Sequence, residues 1–142
     1  DDAALDASVL AIPLMGFLPA RDPRVISTTD RIIADLGVGG LLYRYRNDDG
    51  VPGRDEGAFA LCSFWLAENL SSQGRLEEAR TVFERVVNHA NDVGLLAELI
   101  NPSTGELLGN FPQGLTHLAL ISAAGSIAKA EALNEVPANP VA

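Results

Sequence analysis

The sequence is poor in cysteine, in positive charge and in long apolar runs, and each shortage excludes a class of protein. A single cysteine, Cys62, among 142 residues cannot form an intrachain disulfide or a multi-cysteine zinc site, which favours a reducing, cytoplasmic setting. Ten Lys and Arg against nineteen Asp and Glu give a net charge of -9, so we expect no nucleic acid or anionic membrane as partner. The longest apolar run, Val9 to Leu18, is interrupted by Pro13 and Gly16 and is too short to span a membrane.

The chain does contain enough apolar residues, 47% of the total, to bury a core. We interpret residues 1–142 as one domain and residues 135–142, which include two prolines, as a frayed tail. The chain begins at Asp1 rather than at a methionine, and we expect it to be a piece of a longer protein.

Apolar periodicity predicts an all-α fold of about five helices, in which inner and outer helices alternate. Asp22 to Leu36 and Leu76 to Ala90 each carry one apolar stripe and one polar face, as helices on the outside of a layer do. Ala58 to Ala67 and Leu115 to Ala124 are apolar on nearly every side, which favours positions enclosed by other helices. Ala3 to Leu14 is similar to these two, although a proline cuts it short.

The connections between the predicted helices alternate between short and long. Val38 to Gly57 and Asn91 to Gly114 are long, and connections beyond about 12 to 15 residues are uncommon in compact domains unless they are functional or disordered. In an up-and-down helical array, both long connections fall at the same end. We therefore expect a concave, polar site on one rim of the helical layer.

The first long connection is rich in aromatic and charged residues. Tyr43, Arg44, Tyr45 and Glu56 suit a polyhydroxyl ligand, because tyrosine rings can lie on the apolar faces of a sugar while Arg and carboxylate groups bind its hydroxyls. The alternative is a solvated loop in which Asp48-Asp49-Gly50 simply makes a turn.

The second long connection places one carboxylate, Glu98, within an apolar stretch. Burial of a carboxylate near the core costs free energy, so a protein that keeps one there usually has a polar partner or a functional role for it. The alternative is that Glu98 lies on the edge of a short strand and faces water. Apolar periodicity does not decide between the two. His89 and His117 are far from any cluster with the spacing of metal ligands, and His117 is typical of a hydrogen-bonded core histidine. We expect no metal and no cofactor.

Taken together, six segments in order resemble the C-terminal part of glycoside hydrolase family 15, which includes bacterial glucoamylase-like and trehalase-like enzymes. The resemblance implies the C-terminal portion of an (α/α)6 barrel, with the active site on the rim that carries the long loops. The matching segments are GFLPARDPRV (16–25), LLYRY (41–45), DEGAFALCSFWLAENL (55–70), GRLEEARTVFERV (74–86), NDVGLLAE (91–98) and GNFPQGLTHLALISAA (109–124).

The resemblance also implies an inverting hydrolase with two carboxylic acids, one as general acid and one as general base. The family's GLL-A/S-E motif carries the base, which falls on Glu98; its apolar surroundings oppose ionisation, so a hydrogen-bond donor or a wet cleft is expected there. Arg44 matches the family's sugar-binding arginine, with Tyr45 beside it and Glu56 on the same rim. The chain departs from the family in Leu99, where members often have a second acid, and in lacking the upstream tryptophan-rich motif of the general acid.

The function that the resemblance implies is hydrolysis of α-glucosidic bonds by a glucoamylase-type enzyme, and the alternative is a trehalase. Because about half of the barrel is missing, the resemblance implies association with the N-terminal part of the same hydrolase or with another copy of the chain. A carbohydrate-binding or structural helical module without catalysis is the alternative from another class.

Overall fold

A computed structural model of the protein describes residues 5–46 and 57–135, so Glu56, the turn at 48–50 and residues 136–142 lie outside the described residues. A 3-10 turn over Ala7–Leu10 precedes the helices, which are α1 (Ala11–Leu14), α2 (Pro23–Leu36), α3 (Ala60–Gln73), α4 (Leu76–Val87) and α5 (Gly114–Glu135). The strands are β1 (Gly37–Val38), β2 (Leu41–Leu42), β3 (Ala58–Phe59), β4 (Leu99–Ile100) and β5 (Leu107–Leu108).

The amphipathic helices α2 and α4 lie on the outside, as predicted. Asp22 caps α2 because its carboxylate accepts a hydrogen bond from the Arg24 N–H at 2.9 Å, and Pro23 occupies the first helical position. The predicted helix at 76–90 ends at Val87 instead of Ala90. Its last residues form tighter i to i−3 hydrogen bonds, such as the one from the Ala90 N–H to the Val87 carbonyl at 2.9 Å.

The centre of the fold is α3, in which nine of fourteen residues are buried. Phe64 is fully buried and its ring lies 5.6 Å from that of Phe83 on α4, between centroids. Cys62 is also fully buried, and its desolvation raises the pKa of its thiol to about 12, which agrees with a packing role. The interior position predicted for this segment is confirmed, although the helix begins at Ala60 because the two preceding residues form β3.

The other predicted interior helix, α5, is covered on one side only within the described part of the chain. Ala119 and Ala123 are buried against α3, whereas Leu115, Leu118 and Ile121 are 58%, 64% and 65% exposed. Within residues 5–46 and 57–135, α5 is therefore an inner helix with one open side, of the kind that a part of a barrel exposes. Even α5, with its 22 residues, is not an apolar membrane-spanning helix, and neither is any other helix in these two ranges.

Two small antiparallel sheets lie in the long connections. The pair β1–β2 forms a hairpin after α2, and the order of the second sheet is β3–β4–β5. Its register pairs Ala58 with Ile100 and Leu99 with Leu108. Because β3 directly follows the first long connection and β4 and β5 lie in the second, the sheet joins the two connections at one end of the helices. Their location at the same end is thus as predicted.

Asp6 attaches the start of the chain's described part to the segment after β2. Its Oδ1 accepts a hydrogen bond from the Ser8 N–H at 2.8 Å and lies 3.5 Å from Arg44 Nε, while the Ala7 N–H donates to the Arg44 carbonyl at 2.7 Å. Partial burial alone would raise the pKa of Asp6, but the hydrogen bonds from Ser8 and the charge of Arg44 bring it below its usual value.

We predict that the Asp6–Arg44 pair contributes less than about 1 kcal/mol to stability near neutral pH, because both side chains are more than a third exposed. Since the folded pKa of Asp6 lies below its ordinary 3.8, this stabilisation is present above that pH and is lost as the pH falls through the lower, folded value. A double-mutant cycle of Asp6→Asn and Arg44→Gln, measured by urea denaturation at about pH 7 and about pH 2, checks the prediction; the asparagine side chain can still accept the hydrogen bond from the Ser8 N–H. A coupling energy equal at both pH values would contradict it.

Candidate functional site

A cleft of about 220 Å³ opens where the two long connections meet. Its walls include Tyr43, Arg44, Tyr45 and Gly57 from the first connection and Glu98 and Leu99 from the second. The structure thus brings together Arg44, Tyr45 and Glu98, three of the four residues that match the family's site, and Tyr43 lies beside them. The fourth, Glu56, lies outside the described residues, although its neighbour Gly57 lines the cleft.

The backbone of Glu98 is fixed on both sides by the sheet. The Ala60 N–H, at the start of α3, donates to the Glu98 carbonyl at 3.1 Å, and the Glu98 N–H donates to the Asn110 carbonyl at 2.9 Å. Leu96 and Ala97 immediately before it are fully buried, whereas Glu98 itself is half-buried. Its side chain therefore lies at the boundary between the core and the cleft, directly before β4. Of the two environments that the sequence left open, Glu98 has the buried neighbours of the first and the partial exposure of the second.

The carboxylate of Glu98 has a polar partner. Its Oε2 accepts a hydrogen bond from the Asn110 N–H at 3.1 Å and another from Asn110 Nδ2 at 2.8 Å. Asn110 is thus the hydrogen-bond donor expected beside a carboxylate in this apolar stretch of sequence. Sequence reasoning did not assign Asn110 a role; the available signal was its place after Gly109, since a Gly-Asn pair often marks a turn.

The start of α5 holds the segment that leads to Glu98. The Gln113 N–H donates to the Leu96 carbonyl at 3.0 Å, and the buried Thr116 hydroxyl donates to the Ala97 carbonyl at 3.2 Å. His117 Nε2 accepts from the Leu96 N–H at 3.4 Å, so its Nδ1 carries the proton that is shared with the Gln113 carbonyl at 2.8 Å. The prediction that His117 is hydrogen-bonded is confirmed, and its bonds serve the segment before Glu98.

The aromatic side of the cleft consists of two tyrosines, each paired with an arginine. Arg44 Cζ lies 5.6 Å from the centre of the Tyr45 ring, and Arg46 Cζ lies 5.5 Å from that of Tyr43. The rings are half-buried and the guanidinium groups are exposed. Flat rings, charged donors and a hydrogen-bonded carboxylate thus face one cleft, an arrangement that can bind a polyhydroxyl molecule and accept a proton from it or from water.

Known proteins match the chain in both family and fold. The model of the family "Glycosyl hydrolases family 15" matches residues 1–125. A trehalase of Thermoplasma acidophilum is 46% identical over 127 residues, which cover 89% of this chain, and a trehalase of Mycolicibacterium smegmatis is 47% identical over 133 residues, which cover 92%.

Solved glycosidase structures share the fold. The wild-type form of one glycosidase superposes with a TM-score of 0.73 at 23% identity and covers 89% of this chain and 37% of the glycosidase. A variant glycosidase in complex with glucose gives the same TM-score at 22% identity. This likeness confirms the predicted fold class: the helices form part of an (α/α) barrel of the glycosidase type.

The chain spans about a fifth of the length of these trehalases, 22% of the Thermoplasma enzyme and 20% of the Mycolicibacterium enzyme. The family match nevertheless covers most of the chain, including both long connections and the start of α5. The chain belongs to glycosyl hydrolases family 15 and contains a part of the helical barrel.

Proposed function

We propose that this chain supplies the general-base side of the active site of an inverting glycoside hydrolase. The observation that carries the proposal is the meeting of Glu98, Arg44 and Tyr45 at one cleft, in a chain of this family. Glu98 is the general base. Arg44 and Tyr45 bind the sugar, and Glu56, next to the cleft-lining Gly57, is proposed to bind it as well.

In the proposed reaction, Glu98 accepts a proton from a water molecule while that water attacks the anomeric carbon of the sugar. The bond from the anomeric carbon to the glycosidic oxygen breaks on the opposite face, and a general acid protonates the departing oxygen. The two carboxyl groups of an inverting enzyme are separated by roughly 6.5 to 9.5 Å so that the water fits between them. The acid is proposed to come from the part of the family domain that this chain does not cover.

The substrate class we propose is an α-glucosidic disaccharide or oligosaccharide. Trehalose is favoured over maltose, because relatives at 46% and 47% identity are trehalases. The glucoamylase-type reaction on maltose remains the second candidate, since the two substrates differ mainly in the leaving group and not in the sugar that Arg44 and Tyr45 would bind.

We propose a cytoplasmic protein that binds neither nucleic acid nor an anionic membrane. A net charge of -9 supports the absence of a nucleic acid or anionic-membrane partner. The lone cysteine, Cys62, is buried and free, which supports a cytoplasmic location because the fold needs no oxidising compartment.

We expect Glu98→Gln in the full-length protein to lower kcat by roughly 10²- to 10⁴-fold, because the amide cannot accept the proton from water. The KM should change little, since the tyrosines and Arg44 remain. Steady-state assays on trehalose, maltose and isomaltose measure the loss and identify the substrate at the same time.

The matched control is Glu106→Gln, which removes an exposed carboxylate only eight residues away, in the turn before β5. This variant should retain full turnover. Wild-type turnover by Glu98→Gln would contradict the assignment of Glu98 as base, and a protein that binds sugar but hydrolyses none of the three would instead be a carbohydrate-binding module.

We also propose that the exposed apolar side of α5 is an internal contact of the complete hydrolase. Leu115, Leu118, Ile121 and Leu133 on this helix are each more than half exposed, although they are large and apolar. Since the relatives are several times longer than this chain, the N-terminal part of the same hydrolase is the occupant we propose, with self-association as the alternative.

We predict that Leu118→Asp in the full-length protein lowers the free energy of unfolding by about 3 kcal/mol or more, as a charge placed in a core does. Urea denaturation measures this loss. The control Ser27→Asp, at an exposed position of the outer helix α2, should change stability by less than about 0.5 kcal/mol. If Leu118→Asp were as mild as the control, its side of α5 would be a true surface; if it merely dissociated a dimer in size-exclusion chromatography, the occupant would be a second copy.

A further inference from the structure

We infer that Asn110 is a positioning residue for the general base: it holds one oxygen of the Glu98 carboxylate so that the other oxygen is presented to the attacking water. This inference rests on the proposed role of Glu98. It adds to the proposed reaction a residue to which the sequence alone assigned no role.

Glu98 and Asn110 are joined by three hydrogen bonds. The Glu98 N–H donates to the Asn110 carbonyl at 2.9 Å, which sets the two backbones side by side. In return, the Asn110 N–H and Nδ2 both donate to Glu98 Oε2, at 3.1 Å and 2.8 Å. Within residues 5–46 and 57–135, both hydrogen bonds that the carboxylate accepts end on this oxygen. The lone pairs of Oε1 are therefore the ones available to a water molecule in the cleft.

Gly109 makes this close approach of Asn110 possible. Its φ of +74° lies in the left-handed region, and a Cβ at this position would lie 2.9 Å from Glu98 Oε2 and 3.2 Å from Glu98 Cβ. Any larger residue would thus press on the carboxylate from the side that Asn110 bonds. Gly109 thus leaves room beside the Glu98 carboxylate, and Asn110 next to it supplies the two N–H groups that donate to Glu98 Oε2.

The donors are neutral, which suits a base. Within the described ranges no Arg, Lys or His side chain forms an ion pair with Glu98. The backbone N–H and the side-chain amide of Asn110 therefore hold one oxygen of the carboxylate without an ion pair, and the other oxygen stays available to water.

The first test is Asn110→Ala in the full-length protein, assayed on whichever of trehalose and maltose the wild type hydrolyses. We expect kcat to fall between about 10- and 100-fold with KM nearly unchanged, because the carboxylate loses a charge-assisted hydrogen bond and its orientation. Asn110→Asp should lower kcat at least as far, because the Nδ2 donor is gone and a second carboxylate then faces that of Glu98.

The second test compares two glycines with the same backbone conformation. Gly109→Ala should lower kcat by on the order of 10²-fold through displacement of the carboxylate. Gly16→Ala is the matched control, since Gly16 has a φ of +75° but a Cβ at this position would have nothing within 4 Å of it. Both substitutions strain the backbone similarly, so only the first should affect turnover. Because Asn110 is exposed, Asn110→Ala provides a readout even if Gly109→Ala does not fold.

The outcomes separate this inference from the proposed function. If Glu98→Gln is inactive while Asn110→Ala keeps the wild-type kcat, Asn110 does not position the base and the inference is overturned, although the role of Glu98 stands. If Glu98→Gln is active, both are overturned. Loss of stability in Asn110→Ala without a change in kcat would show a merely structural role and would also overturn the inference.

Discussion

The site depends on one constraint: the backbone at Glu98 must reach the rim of the helical layer without leaving its polar groups unpaired. Strand β4 meets this constraint by pairing with β3 before α3 and with β5 before α5. The hydrogen bonds from Ala60 and to Asn110 satisfy the carbonyl and the N–H of Glu98 itself. A carboxylate that follows two fully buried residues is thereby delivered to the cleft with a fixed backbone.

The helices α3 and α5 serve this arrangement in different ways. The first is buried on most sides and gives the sheet a rigid base, while the start of the second binds the Leu96 and Ala97 carbonyls through Gln113 and Thr116. The remaining side of α5 carries exposed leucine and isoleucine. The same helix thus orients the candidate base on one side and presents on the other the surface by which we propose that the rest of the hydrolase closes the barrel.

The sequence predicted the outer helices, the central helix and the rim location because these follow from apolar periodicity and loop length. It also selected Arg44, Tyr45 and Glu98, through the family resemblance more than through periodicity, which left the environment of Glu98 open. It did not predict the β3–β4–β5 sheet, whose two-residue strands are too short to show a period. Nor did it select Asn110, whose contacts with Glu98 across twelve residues depend on the backbone conformation of Gly109, and no local pattern encodes such a contact.

The most direct test of the central claim is a crystal structure of the full-length Glu98→Gln protein with trehalose bound. We predict that one glucose unit lies against the Tyr45 ring with its hydroxyls bonded to Arg44. A water molecule should lie within hydrogen-bond distance of the residue 98 side chain, on the face of the anomeric carbon opposite the glycosidic oxygen. Asn110 should still donate its hydrogen bonds to the side-chain oxygen of residue 98. The claim would be contradicted by a sugar bound away from residue 98. It would also be contradicted by a residue 98 side chain too far from the anomeric carbon to share a water molecule with it.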